Sequence, residues 1–106
     1  MLKKNLLLVI LFLSTNIYAQ TQRIEVLGMV CAFCAQGIEK SFSSDENIKD
    51  VYVNLENYFV VIESRDGKNI NEKYITTIIK DAGYDVQKIE VVSDSVSEIR
   101  EKYGAN

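Results

Sequence analysis

Twice along this chain, apolar residues that alternate with polar ones give way to apolar residues spaced three and four apart, and twice the alternation returns. Alternation marks a half-buried strand and the longer spacing an amphipathic helix, so the order of these stretches restricts the folds available. From Arg23 to Leu27, Ile24 and Val26 alternate with Arg23 and Glu25, and the pattern stops at Gly28. From Cys31 to Phe42, the residues Cys34, Ile38 and Phe42 recur at four-residue spacing with Ala35 beside them, while Gln36, Glu39 and Lys40 fall on other sides. The polar run Ser43 to Asn47 closes that helix, and Ile48 to Leu55 alternates again through Val51, Val53 and Leu55. A turn over Asn54 to Asn57 leads into Tyr58 to Ile62, a β-branched and aromatic run that reads as a central strand and ends at Arg65-Asp66-Gly67-Lys68.

In the second half, Asn69 stands three residues before Glu72 as a capping pair, and Ile75, Ile78, Ile79 and Ala82 form a helical stripe that ends at Gly83. Asp85 to Val92 supplies a last strand through Val86, Ile89 and Val91, and the change of phase between Val86 and Ile89 predicts a bulge. The order β-α-β-β-α-β predicts an α+β, ferredoxin-like sandwich: a four-stranded antiparallel sheet with two helices on one face. Two features fall outside that plan. If Val60 and Ile62 point inward, Phe59 and Val61 point to the open face, either as scattered apolar surface or as a docking or dimer surface. Beyond the last strand, Ser95 and Glu98 have the spacing of a capping box, with Val96, Ile99 and Tyr103 on one helical side. Residues 93–106 therefore read as a C-terminal extension, either a short helix or a frayed tail.

Residues 1–19 read as a secretory signal peptide, with Lys3 and Lys4 as the basic start, Leu6 to Leu13 as the apolar run and cleavage after Ala19. The apolar run is about half of the ~20 residues that span a bilayer, and no cysteine lies near the cut to carry a lipid. The expectation is an exported, periplasmic protein whose mature form does not insert stably into a membrane, with residues 20–92 as its one domain. The formal charge is −3 and grows more negative once Lys3 and Lys4 leave. Such a surface has no electrostatic reason to seek phosphate backbones, so nucleic acid is not an expected partner.

The densest chemistry is Gly28-Met29-Val30-Cys31-Ala32-Phe33-Cys34, where a strand ends and a helix begins. Unpaired N–H groups at a helix N-terminus, together with the helix dipole, stabilise thiolates, which are the metal-binding form of cysteine. Two intervening residues let both sulfurs converge on one ion, and the chain has no histidine to supply nitrogen ligands. Two thiolates suit a soft ion: copper(I) first, mercury(II) or silver(I) next, and zinc(II), which prefers four ligands, last. Met29 reads as an apolar plug beneath the site, and Ala32 and Phe33 as residues that shape and shield the loop. The same Cys31–Cys34 spacing is also that of thiol–disulfide exchange proteins, and a small disulfide is the plain structural reading. The chain has no proline, however, and redox folds of the thioredoxin type set a cis-proline opposite the pair. Without histidine no Ser/His/Asp or Cys/His arrangement can form, so an enzyme is not expected.

Taken together, Gly28-Met29-x-Cys31-x-x-Cys34, the helix positions Ile38 and Phe42, the strand Val51-x-Val53-Asn54-Leu55 and Asp81-Ala82-Gly83-Tyr84 resemble the heavy-metal-associated domain family. The resemblance runs from about Arg23 to Val92, and several separated motifs agree in order. It implies that Cys31 and Cys34 are the metal ligands, that Met29 packs under the loop and that Tyr84 lies near the site; read without it, Tyr84 is a core or edge tyrosine. Val30 departs from the threonine usual in the family. Members include soluble copper chaperones, N-terminal modules of metal-exporting ATPases and periplasmic mercury-binding proteins, the last being what an exported single-domain chain most resembles. The implied function is a carrier that holds a soft cation and passes it by thiolate exchange to a metal transporter or another metal-binding protein, acting as a monomer or through a metal-bridged dimer. Two alternatives stay open: a thiol redox protein using the same pair, and an interaction module whose open sheet face binds a partner through Phe59 and Val61.

Overall fold

Gln22, a polar residue only 2% exposed inside the first strand, shows how tightly the elements are tied. Its amide accepts the Ile70 N–H at 2.7 Å and donates to the Ile70 carbonyl at 3.1 Å, joining that strand to the loop before the second helix. The computed structural model describes residues 20–28 and 31–104. The expected signal peptide, the plug Met29 and the departure at Val30 lie outside the described residues.

The strands are β1 (Thr21–Leu27), β2 (Ile48–Asn54), β3 (Phe59–Ser64) and β4 (Asp85–Val92), and the helices are α1 (Ala32–Ser43), α2 (Glu72–Asp81) and α3 (Val96–Tyr103). One sheet in the order β2-β3-β1-β4 is antiparallel throughout, with Ile24 opposite Val60 and Ile89, and Val53 also opposite Val60. The ferredoxin-like α+β architecture is thus as expected. On one face, Ile24, Val26, Val51, Val53, Val60 and Ile62 meet Ala35, Ile38 and Phe42 of α1 and Ile75 and Ile79 of α2. The three- and four-residue spacing of the helical residues puts each set on one stripe, which is why both helices lie flat on the sheet.

The anticipated bulge is present. The β1–β4 register passes from Glu25 opposite Lys88 to Val26 opposite Val86, which leaves Gln87 as the extra residue and lets Val86 and Ile89 both pack against the core. Two local expectations are corrected. The cap of α2 is Asn71, whose side-chain oxygen accepts the N–H groups of Lys73 and Tyr74, and not Asn69; the Gln22 clamp holds Ile70 in the preceding loop, so no helix can start at Asn69. Tyr58 belongs to the β2–β3 turn with φ of +57°, so the third strand begins at Phe59.

The larger correction concerns the open face. Phe59 and Val61 are 0% exposed, because α3 lies over them and buries Val96 and Ile99 against Tyr52, Phe59 and Val61. The two features left outside the sequence plan therefore account for each other: the C-terminal extension is a helix, and the apolar outer face is its seat. The Ser95–Glu98 capping box starts it, and the buried Glu63 carboxylate accepts the Val96 N–H at 3.1 Å. Arg100 grips both oxygens of Asp50, at 3.1 and 3.2 Å, and also donates to the Val51 carbonyl at 2.8 Å. Tyr103 meets the Phe59 ring edge-on at 5.1 Å, and Arg23 covers that ring at 4.0 Å. A docking or dimer surface at Phe59 and Val61 is ruled out in this fold, and the interaction-module reading loses the surface it needed.

Ile99→Ala should cost about 2–4 kcal/mol in urea unfolding, as a buried aliphatic truncation does. Because its hydrogen bonds with Ser95 hold the Glu98 carboxyl below the usual carboxylate range, the stabilisation it gives is present above that range and lost as pH falls through the lowered value. Glu98→Gln should therefore flatten the acid limb of the stability profile, measured as the urea midpoint against pH.

Candidate metal site

The apolar stripe Ala35–Ile38–Phe42 fixes α1 on the sheet, and one turn before Ala35 it leaves Cys31 as the residue that caps the helix. Cys31 has extended backbone angles, φ −94° and ψ 112°, while its carbonyl already accepts the Ala35 N–H at 3.0 Å. A cap needs a side-chain acceptor for the free N–H groups of the first turn, and here the acceptor is sulfur: Cys31 Sγ accepts the Cys34 N–H at 3.3 Å. Gly28, at φ of +73°, makes the sharp exit from β1 that a side chain would oppose.

The two thiols converge as the sequence predicts. Both are free and half-buried, and the two sulfurs stand 2.9 Å apart with the Cys34 S–H directed at Cys31 Sγ. This contact divides their acidities. Cys31 is lowered, chiefly because it accepts the Cys34 S–H and then the backbone N–H groups of Cys34 and Phe33, with burial opposing. Cys34 is raised, chiefly because its proton is committed to Cys31, although a hydrogen bond with Tyr84 works the other way. Cys31 therefore gives up its proton before Cys34 does, and a soft cation taken up by both sulfurs would displace the protons of the pair.

Tyr84 enters from the other side. Its N–H donates to the Ile79 carbonyl at 3.1 Å as α2 ends, its ring packs against the core, and its hydroxyl reaches Cys34. Burial first, and then the Cys34 contact, raise its pKa. The core reading and the near-site reading of Tyr84 are thus both right. Phe33, expected to shield the loop, does not: it is 83% exposed. Among the described residues, no group of three or more His, Cys, Asp or Glu side chains could hold a metal, so Cys31 and Cys34 are a two-sulfur site with no further carboxylate or imidazole. Tyr58, which the sequence reading did not connect with this end of the fold, is brought beside the end of β1 because the Val26 N–H bonds the Tyr58 carbonyl at 2.9 Å. The antiparallel order alone carries that signal, since it folds the β2–β3 turn back beside the end of β1.

No protein-family model matches the chain. It is 35% identical over 69 residues to the copper chaperone CopZ of Bacillus subtilis, a match that takes in 65% of this chain and 99% of the chaperone. It is 38% identical over 63 residues to a probable copper-exporting P-type ATPase of Archaeoglobus fulgidus, covering 59% of this chain but spanning only 8% of the ATPase. The solved structure of oxidized MerP from Ralstonia metallidurans CH34 aligns with a TM-score of 0.55 at 30% identity, over 65% of this chain and 94% of MerP. The chain belongs to the heavy-metal-associated domain family.

Since the Cys34 S–H is the largest cause of the lowered Cys31 pKa, Cys34→Ala should move the Cys31 titration back up. Alkylation of Cys31 by iodoacetamide at neutral pH should then slow several-fold relative to wild type, because the thiolate is the reactive form. An unchanged pH profile would mean that the helix N-terminus alone sets the acidity.

Proposed function

We propose that this protein is an exported carrier of a soft metal ion, copper(I) in the first place, held between the thiolates of Cys31 and Cys34 and released by thiolate exchange. The observation that carries this reading is the hydrogen-bonded thiol pair at the start of α1, with no third His, Cys, Asp or Glu beside it among the described residues. A two-sulfur site satisfies a soft monovalent ion and leaves zinc short of ligands. It also leaves the ion open to an incoming sulfur, so a tightly held ion can move without first dissociating. Relatives named for copper chaperoning and copper export support copper, and the likeness to MerP keeps mercury(II) behind it, followed by silver(I). The receiving partner on this reading is a metal transporter or another metal-binding protein. The chain itself is a monomeric carrier without turnover, and a thiol–disulfide role draws no support from these relatives. Export rests on residues 1–19, with their basic start and short apolar run.

Bicinchoninate competition should show one copper(I) per reduced chain, and Cys34→Ser should weaken it by more than about 100-fold, beyond what loss of an outer-shell partner costs. Equal affinity in Cys34→Ser would place the metal elsewhere. Protein recovered from its native host should begin at Gln20 by mass spectrometry and sit in the periplasmic fraction; an intact Met1 in the cytoplasm would refute export.

A further inference from the structure

A sheet in the order β2-β3-β1-β4 has β2 and β4 as its edges, and an edge strand offers main-chain N–H and carbonyl groups to any further strand. The ladder shows which groups these are. The Val26 N–H bonds the Tyr58 carbonyl and the Ser64 N–H bonds the Gln20 carbonyl, so the even-numbered residues of β1 turn their main chain to β3. Arg23 and Glu25 therefore turn theirs to Glu90 and Lys88 of β4, which leaves the N–H and carbonyl groups of Ile89 and Val91 directed at the open edge. Carried through β3, the same alternation directs the main chain of Val51 outward from β2. The chain closes one edge and not the other. Along β2, Asp50 Oδ1 accepts the Val51 N–H at 2.9 Å, Arg100 donates to the Val51 carbonyl at 2.8 Å, and Arg65 donates to the Glu46 and Ile48 carbonyls at 3.0 and 3.4 Å. Along β4, among the described residues, no side chain bonds the main chain, and Val91 is 51% exposed.

The charges of β4 specify its occupant. Lys88 stands opposite Glu25 and Glu90 opposite Arg23, and ion pairs run along the strands as well, Arg23 to Glu25 at 3.8 Å and Lys88 to Glu90 at 3.4 Å. From this we infer that β4 pairs antiparallel with β4 of a second copy of the chain, about a two-fold axis through Ile89. In that register Ile89 meets its own counterpart through the outward N–H and carbonyl groups, and Lys88 of each copy lies opposite Glu90 of the other. Across the joint one row of side chains then reads Arg23, Glu90, Lys88, Glu25 and the next reads the reverse, with opposite signs facing at every step. Moving the axis to Lys88 or to Glu90 would set a residue opposite its own like charge, so the pattern selects one register. The two copies run in opposite directions. Because the Asp85 end of β4 lies beside Leu27, where β1 leads to Cys31, the two thiol pairs fall at opposite ends of the joined sheet and neither is covered. A single pair of strands is a small joint, so the dilute chain remains the monomeric carrier proposed above and pairing belongs to high concentration.

Reduced, metal-free exported chain, followed by sedimentation velocity from about 10 μM to about 1 mM, should pass from monomer to dimer. The Ile89 and Val91 amides, open to water in the single chain, should exchange hydrogen about tenfold or more slower at the upper end. Val91→Pro removes one outward N–H at an edge, where proline is tolerated, and should abolish the shift. Lys88→Glu and Glu90→Lys should each weaken pairing by about tenfold or more, since the two-fold axis repeats every altered contact. An equimolar mixture of these two variants should restore it, because each edge supplies the charge the other lacks; a variant that merely folds less well would not be rescued in this way. No change with concentration, a dimer that survives Val91→Pro, or a mixture no better than either variant alone would refute the β4 joint. A dimer that forms only with copper(I) and is lost in Cys34→Ser would also overturn it, by placing the contact at the thiols. Pairing is read on the metal-free chain, so its failure leaves the carrier reading untouched, and failure to bind copper(I) leaves the joint untouched.

Discussion

The chemistry at the thiol end depends on where α1 begins. Ala35, Ile38 and Phe42 hold the helix against the sheet, and because they recur on one stripe they fix its rotation and its first residue together. A helix starting one residue later would turn Cys31 away from the free N–H groups of the first turn and separate the two sulfurs. As it stands, Cys31 serves as cap and as acceptor of the Cys34 S–H at once, and the hydrogen bonds that a serine or aspartate oxygen makes elsewhere are made here by sulfur. The proposed metal site is in this sense a helix start, and the rest of the fold keeps it in place.

The sheet beneath it is closed on both sides. Every residue of β3 is buried, with Val60 and Ile62 against α1 and α2, and Phe59 and Val61 against α3. A strand in the middle of a two-layer sandwich would show one apolar face to water; here the C-terminal helix adds a third layer, pinned by Arg100 on Asp50 and by Glu63 on the Val96 N–H. Sealing that face takes Phe59 and Val61 out of solvent, while Phe33, between the two cysteines, stays exposed.

Much of this was legible in the sequence, because the burial that decides it is periodic. The order of elements, the two helical stripes, the bulge near Gln87 and the convergence of Cys31 with Cys34 follow from spacing alone. What spacing did not show were relations between distant segments. Phe59 and Val61 read as open surface, and Val96 and Ile99 as a doubtful helix, because each is the other's missing partner and a one-dimensional pattern holds no pairing. The cap at Asn71 was missed for the same reason, since it is decided by Gln22 holding Ile70, 48 positions further along the chain. Phe33 was read as a shield because it neighbours two cysteines; the helix start that joins the sulfurs turns its ring outward. In each case a local cue was overruled by a tertiary contact.

The central claim is that one copper(I) ion sits between Cys31 and Cys34, and X-ray absorption at the copper edge of the loaded, reduced chain tests it most directly. The account requires copper in the +1 state with sulfur as its nearest neighbours and no nitrogen or oxygen at bonding distance, a spectrum lost in Cys31→Ser and in Cys34→Ser. Nitrogen or oxygen ligation in the wild-type chain, or a sulfur spectrum that survives either substitution, would contradict it.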